Sequence, residues 1–220
     1  MSFTYVTSYT GSNVGTSVTT TVTFNAGDSI NVWVYSVTGR TVTVSDNGSN
    51  TYTAVDTQAD GANTNSCWSF YSINLINSAT TLTVNLSASA VVSVVIDRFS
   101  GEGAATLNAH ATNDQSSPGS GTNAIFASST SIGGANDRNC AFVYDVNSGT
   151  TTAHGTGYSD AYSASTNYHS EYSTGSGKGS FTDSTNGPVD EYIVMMMTFS
   201  PPAGAVPYDP WPQWSPILAQ

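Results

Sequence analysis

Runs of apolar residues along the chain predict strands rather than helices. The densest run lies at residues 91–96, where five of six positions are β-branched aliphatics, within a longer stretch at 90–101. A run this short, apolar at both odd and even positions, is typical of a strand covered on both faces, and branched side chains disfavour a helix. A second dense run occupies 189–199. We predict both as central strands and as candidate neighbours in one sheet.

Weaker alternation predicts further strands, separated by segments rich in Gly, Asn, Ser and Asp. These strands are predicted at 1–10, 17–24, 29–37, 41–45, 51–55, 67–76, 80–86, 106–111, 124–132, 140–146, 158–165 and 168–174. Turns are predicted at 11–15 and 25–28, and polar loops at 56–65 and 113–122. The strand at 29–37 is apolar on both parities, so we expect it to be covered on both faces. About a dozen strands without a helix predict an all-β fold, specifically an antiparallel β-sandwich of jelly-roll type.

The last twenty residues differ from the rest, because six prolines alternate there with aromatic and aliphatic residues. Proline donates no ladder hydrogen bond and favours an extended path. We therefore predict a β-sandwich domain at 1–200 and an extended Pro/Trp-rich C-terminal arm at 201–220. The apolar side chains of the arm either pack back on this chain or dock onto a neighbouring subunit. The predicted interface anchors are Tyr208, Trp211, Trp214, Ile217 and Leu218.

Charge excludes several classes of partner. The chain of 220 residues has a net charge of −11, and only 9% of its residues are charged. Phosphate backbones and anionic membrane surfaces repel such a protein, so we predict neither nucleic-acid nor membrane binding. Aromatic residues make up 11% of the chain and recur regularly, which argues against disorder.

The N-terminal sequence Met-Ser-Phe-Thr-Tyr-Val has no basic segment followed by an apolar one, so no signal peptide is recognised. The Thr/Ser/Gly-rich, Lys-poor composition is nevertheless typical of extracellular proteins. A protein made without a leader and used outside the cell, as virion proteins are, reconciles the two observations. Removal of a leader before residue 1 is the alternative.

Candidate catalytic and metal-binding patterns are weak. The three histidines, His110, His154 and His169, have no metal-ligand spacing. His169 and Glu171 share a strand parity and form a candidate metal pair, although an exposed Tyr-rich strand explains them equally well. No Gly-x-Ser-x-Gly motif occurs. Adjacent carboxylates such as Asp190 and Glu191 point to opposite faces of a strand. We predict that the protein is not an enzyme and has no cofactor.

The oxygen-rich segment 46–50 is a candidate calcium loop, with Asp56 and Asp60 as further ligands, but it lacks the EF-hand spacing. An Asx turn is the simpler interpretation. Cys67 and Cys140 both lie in strand-like contexts. We predict two buried free thiols, and a disulfide across adjacent strands is the alternative.

Four tyrosines recur through a Gly/Ser-rich region, namely Tyr158, Tyr162, Tyr168 and Tyr172. Tyrosine together with Ser, Gly and Asn forms adaptable binding surfaces for sugars or proteins. We consider these four a possible ligand surface. The alternative is that about half of them face the core, as alternation along a strand produces.

Three motifs mark a resemblance to a known family: Gly-Asp-Ser-Ile-Asn-Val at 27–32, Val-Ser-Asp-Asn-Gly-Ser-Asn-Thr-Tyr-Thr at 44–53 and Val-Ser-Val-Val-Ile-Asp-Arg-Phe-Ser-Gly at 92–101. Segments 155–158 and 192–199 extend it. The chain resembles β-sandwich proteins of phages and environmental bacteria, which are virion, tail or surface proteins. The resemblance implies a sandwich fold and supplies no catalytic residue.

Together these observations favour a non-enzymatic structural protein on a phage virion surface, such as a capsid decoration or cement protein or a head or tail fibre component. Its expected partners are other virion proteins of the capsid or tail and further copies of itself, contacted through sheet edges and the arm. An alternative is a carbohydrate-binding or adhesion module that uses the Tyr-rich loops on a host surface glycan. A secreted hydrolase with a convergent site is a third hypothesis.

Overall fold

Fourteen β-strands make up the regular structure of residues 3–62, 64–101, 103–116, 123–146, 152–163, 167–183 and 191–202, which are the residues that the computed structural model describes. The strands are β1 (Thr4–Phe24), β2 (Ser29–Val37), β3 (Val42–Asp46), β4 (Thr53–Ala59), β5 (Asn65–Ser72), β6 (Ala79–Ser100), β7 (Thr106–Ser116), β8 (Asn123–Phe126), β9 (Arg138–Asp145), β10 (Thr152–His154), β11 (Ser159–Tyr162), β12 (Tyr168–Thr174), β13 (Ser180–Asp183) and β14 (Glu191–Ser200). These ranges contain no helix, which confirms the predicted all-β class.

The strands form three antiparallel sheets. The first sheet has the order β1-β6-β2-β5-β4, and β3 also pairs with β6. The second sheet has the order β11-β12-β9-β14-β7, and the third has the order β10-β13-β8. All strands of the first sheet precede residue 101, and all strands of the other two follow it.

Two long strands, β1 and β6, build a ribbon that runs through the first sheet. Thr4 is the register partner of Ser100, and Phe24 is the partner of Ala79. The turn predicted at 11–15 is therefore wrong, and the predicted strands at 80–86 and 90–101 are one strand. Gly11 and Gly15 lie in the ladder opposite β6, and this pairing outweighs their intrinsic turn preference. A register shift follows Gly15, so the predicted turn marks an irregularity in a continuous strand.

Three apolar clusters hold the sheets together. The first cluster lies within the first sheet. It joins side chains of β2, β5 and the C-terminal half of β6 to side chains of β3, the C-terminal half of β1 and the N-terminal half of β6. The second cluster lies between the first and second sheets, and the third between the second and third. On β2, Val32 belongs to the first cluster and Trp33 to the second. The prediction that both faces of β2 are covered is therefore confirmed.

The two dense apolar runs lie in different sheets, so the prediction that they are neighbours in one sheet is wrong. The first run lies in β6 of the first sheet, and the second lies in β14 of the second sheet. They meet across the second cluster, which contains Val95 and Phe99 from β6 and Met195 and Met197 from β14. Both strands are apolar on two faces because each has a packed layer above and below it.

Several predicted boundaries shift. Strand β4 extends to Ala59, into the segment predicted as a loop at 56–65. Strand β7 extends to Ser116, into the segment predicted as a loop at 113–122. Strand β8 covers only the start of the segment predicted at 124–132. The short strands β10 and β13 lie where no strand was predicted.

Candidate functional site: the open edge of β1

Strand β1 lies at an edge of the first sheet. It pairs with β6 on one side, and within the described ranges no strand pairs with its other side. Its 21 residues contain neither a charged residue nor a proline. Natural edge strands are commonly protected by lysine, proline or short length, because unpaired N–H and C=O groups recruit other strands. By this criterion β1 is an unprotected edge.

Exposed apolar side chains concentrate on the β1–β6 ribbon. Among the described residues four large hydrophobic side chains are exposed, and three of these lie on the ribbon: Val6 at 40%, Val14 at 74% and Val91 at 47%. Val14 and Val91 are register partners, so they form an apolar pair on the surface. The fourth, Ile76, is 83% exposed and lies outside the ribbon.

The ribbon folds back on itself beside this valine pair. Tyr9 Oη accepts a hydrogen bond from the Thr23 N–H and donates one to the Thr23 carbonyl, both at 3.1 Å. A Cβ atom at Gly11 would clash with Thr20 Oγ1, so glycine allows the two halves of β1 to approach. Residues 12–14 and 16, near the middle of the strand, are exposed.

The second sheet reaches only the first part of β1. Tyr5 Oη donates to the Ala161 carbonyl at 2.6 Å, and Ser8 Oγ lies 3.1 Å from the same oxygen. Ala161 belongs to β11, the edge strand of the second sheet. The Thr10 side chain also contacts the Tyr162 hydroxyl of β11, so we define the open edge as residues 11–16 of β1.

The four predicted tyrosines do not form a single surface. Tyr158 is buried, and its hydroxyl accepts a hydrogen bond from the Gly179 N–H at 3.0 Å. Tyr172 is half-buried and stacks on Tyr5 with ring centroids 4.9 Å apart. Tyr162 and Tyr168 are half-buried and stack on each other at 5.8 Å. The structure thus brings only Tyr162 and Tyr168 together as a partly accessible pair, and their role in binding stays a prediction.

The predicted anchors of the C-terminal arm lie outside the described residues. These are Tyr208, Trp211, Trp214, Ile217 and Leu218. The last described strand, β14, ends at Ser200, whose hydroxyl donates to Asp137 at 2.8 Å.

A buried polar network lies between the first and second sheets. Asp97 accepts hydrogen bonds from Ser8 Oγ at 2.6 Å, from Trp33 Nε1 at 2.8 Å and from Ser170 Oγ at 3.0 Å. Burial raises the pKa of Asp97, and these donors together with the charge of Arg138 offset part of the rise. The network joins four strands from two sheets, which gives it a structural role.

Arg138 is buried among aromatic rings of the second cluster. Its guanidinium carbon lies 4.1 Å from the centroid of the Phe99 ring and 4.3 Å from that of Phe199. Its Nη1 also donates to Cys140 Sγ at 3.0 Å. Cation–π contacts of this kind stabilise a buried guanidinium.

Comparison of the chain with protein-family models, with curated proteins and with solved structures finds no match. Within the described ranges no helix has the length and apolar character needed to cross a membrane.

His169 and Glu171 share a face of β12, as their parity predicted, and both are buried. His169 Nε2 lies 2.7 Å from Asp160 Oδ1. Glu171 accepts a hydrogen bond from the Gly155 N–H at 3.0 Å, and burial raises its pKa well above the usual range. The described residues contain no group of three acidic, histidine or cysteine side chains placed to hold a metal. Sequence reasoning missed Asp160, because only the β11–β12 register places it opposite Glu171.

The carboxylates of the candidate calcium loop have separate protein partners. Asp46 accepts hydrogen bonds from the Asn50 N–H, four residues further along the chain, at 3.0 Å and from Tyr52 Oη at 2.8 Å. An Asx turn would instead use the N–H two residues on. Asp56 lies 2.7 Å from a ring nitrogen of His110. Asp60 accepts from the Thr64 and Asn65 side chains and N–H groups.

The two cysteines and the Asp190–Glu191 pair were also candidates from the sequence. Cys67 and Cys140 are buried free thiols, as predicted. Asp190 lies outside the described residues, and Glu191 accepts a hydrogen bond from the Gly61 N–H.

The open edge can bind an extended strand through its backbone, and the valine pair can bury apolar surface.

Proposed function

We propose that this chain is a non-enzymatic structural protein of a phage virion surface, either a capsid decoration or cement protein or a fibre component. It docks onto a symmetric assembly through the open edge of β1 and through its C-terminal arm. Its partners are capsid or tail proteins and further copies of itself, and it acts outside the cell. The family resemblance of 27–32, 44–53 and 92–101 supports this proposal. The antiparallel sheets packed on each other support a β-sandwich, for which we propose the jelly-roll type.

The observation that carries the proposal is the uncharged, proline-free edge of β1 beside Val14 and Val91. A chain with net charge −11 repels its own copies. Contact along β1 places no like charges opposite each other, because the strand contains no charged residue. Backbone hydrogen bonds along the edge supply affinity, and burial of the valines adds about 25 cal/mol per Å² of apolar surface.

Sedimentation velocity of the full chain across a range of concentrations tests this proposal. We expect concentration-dependent assembly that Val14→Lys abolishes, because the new ammonium groups repel each other and remain in water. Ile76→Lys is the matched control, since it places the same charge on an exposed apolar position outside the ribbon. Thermal unfolding of both variants should match that of the unmodified chain.

A chain ending at Ser200 separates the role of the arm from that of the edge. If assembly survives this truncation but not Val14→Lys, the edge dominates. If the full chain stays monomeric, or if Val14→Lys assembles as the unmodified chain does, edge-mediated assembly is wrong. Detection of the chain by mass spectrometry in purified phage particles tests the virion assignment directly.

A carbohydrate-binding or adhesion module is the second candidate. The half-buried pair Tyr162 and Tyr168 favours it, because tyrosines beside Ser, Gly and Asn form adaptable binding surfaces. Glycan-array binding that Tyr168→Ala removes, with stability retained, would favour this candidate over the structural one.

A further inference from the structure

Strand β4 forms an edge of the first sheet, and strand β7 forms an edge of the second sheet. Side chains at every second residue connect the two strands. Asp56 lies 2.7 Å from His110 Nδ1, and the Thr112 hydroxyl donates to Gln58 Oε1 at 2.9 Å. One step further along, the Gly61 N–H donates to Glu191 Oε1 beside Asp114. We call these three contacts the β4–β7 seam.

The third contact of the seam concentrates negative charge. A Cβ atom built on Gly61 would lie 2.9 Å from Glu191 Oε1 and 3.2 Å from Asp114 Oδ2, so both carboxyl groups converge on the backbone of this loop. Asp60 adds a third carboxylate nearby. Its own burial would raise its pKa, but hydrogen bonds from Thr64 and Asn65 together lower it, so Asp60 remains ionised.

Asp114 and Glu191 share a hydrogen bond, which requires that one of them carries a proton. Burial, followed by the charge and hydrogen bond of Glu191 and then the charge of Asp60, raises the pKa of Asp114 to about 6. Above that pH the proton leaves. Asp114 then carries a negative charge opposite Asp60, which lies on the first-sheet side of the seam, as well as beside Glu191 on the neighbouring strand β14.

A buried thiol lies next to the seam. Cys67 on β5 is the register partner of Gln58 on β4, and it is fully buried in the cluster between the two sheets. Burial raises the pKa of Cys67 well above its usual value. Separation of β4 from β7 would admit solvent to this side of the cluster.

We propose that the β4–β7 seam responds to pH. Its two strands stay in contact at mildly acidic pH and separate above neutral pH, which gives reagents access to Cys67. The groups that face each other across it are Asp56 and Asp60 from the first sheet, His110 and Asp114 from β7, and Glu191 from β14. Acid restores the proton on the Asp114 carboxyl group and so removes its repulsion from Asp60. The middle contact of Thr112 and Gln58 does not titrate.

Alkylation of the full chain by N-ethylmaleimide between pH 5.5 and pH 8.5, with the labelled cysteine located by mass spectrometry, tests this proposal. The comparison is between the unmodified chain and Asp114→Asn, which keeps a hydrogen bond to Glu191 but cannot ionise. Thiolate formation accelerates labelling equally in both chains, so the ratio of their rates isolates the seam. We expect a ratio near one at pH 5.5, rising to about tenfold at pH 8.5 after allowance for solvent screening.

Two controls distinguish the seam from general unfolding. Thr112→Val removes the neutral contact, so it should accelerate labelling of Cys67 by a similar factor at every pH. Cys140, buried beside Arg138, should be labelled at a rate that does not depend on Asp114. A rate ratio for Cys67 that is constant with pH overturns the proposal. So does a shared pH profile for Cys67 and Cys140, or a complete lack of Cys67 labelling.

Discussion

The indole N–H of Trp33 donates a 2.8 Å hydrogen bond to a carboxylate oxygen of Asp97, and both residues are fully buried. The Trp33 ring also stacks on Phe142 of the opposing sheet, with centroids 5.7 Å apart. One side chain thus supplies apolar contact between two sheets and a donor to a buried acid. Burying a carboxylate is costly unless donors surround it, so this pair helps to fix how the sheets stack.

We predict that Trp33→Phe destabilises the protein by about 1–3 kcal/mol beyond the loss of apolar area, because Asp97 loses one of its three donors. Urea denaturation followed by circular dichroism measures the change. Trp68→Phe is the control, since Trp68 is buried in the other cluster of the first sheet. Equal losses for the two variants would show that the hydrogen bond to Asp97 contributes nothing.

A second prediction concerns the close approach within β1. Gly11→Ala should destabilise the fold by about 1–3 kcal/mol, because its Cβ would meet Thr20 Oγ1. Gly15→Ala should cost less, since its nearest neighbour is the end of the exposed Asn13 side chain at 3.3 Å. Adding Thr20→Ala to Gly11→Ala should recover part of the loss. Strict additivity of the two substitutions in a double-mutant cycle would contradict this account.

The third prediction is that Glu171→Gln stabilises the protein at pH 8 and leaves it unchanged at pH 4. The pKa of Glu171 is higher in the folded state than in the unfolded state, where it is about 4.3. At any pH between these two values, folding therefore takes up a proton. The free energy of unfolding therefore falls as pH rises from the lower value to the folded-state pKa. Glutamine retains the acceptor for the Gly155 N–H and avoids this loss, which amounts to about 1.4 kcal/mol for each unit by which the pKa is raised.

Asp137→Asn provides the opposite control for that experiment. Burial alone would raise the pKa of Asp137, but hydrogen bonds from Asn108, Gly134 and Ser200 together lower it. Its contribution to stability is present at neutral pH and disappears as pH falls below about 3.9. Denaturation curves at pH 3, 4, 6 and 8 should show these two slopes with opposite signs. A Glu171→Gln variant with an unchanged pH profile would contradict the prediction.

Strands with a dense apolar run or a regular alternation of side chains could be predicted from sequence alone. Strand β12 occupies 168–174 as predicted, and β2 occupies 29–37 as predicted. Side-chain alternation is a local property of a strand, so a single sequence reveals it. The predicted parity of His169 and Glu171 was correct for the same reason.

Pairing between distant segments could not be predicted. Turn-forming residues at 11–15 indicated a chain reversal, yet β6, some eighty residues later, supplies a continuous ladder opposite them. The convergence of Asp114 with Glu191, and of Asp160 with His169, likewise depends on which strands are neighbours. No local pattern encodes that choice, because hydrophobic periodicity specifies faces of strands and not their partners.

The division of the sheets at residue 101 has a consequence for biosynthesis. A ribosome releases every strand of the first sheet before any strand of the second, and domains generally fold from the N-terminus as the chain emerges. The nascent first sheet can complete its own internal cluster, but the face that carries Trp33 and Phe99 has nothing to cover it until β9 and β14 leave the exit tunnel. For that interval, the half-synthesised chain exposes its most aromatic surface and depends on chaperones or rapid elongation to avoid aggregation.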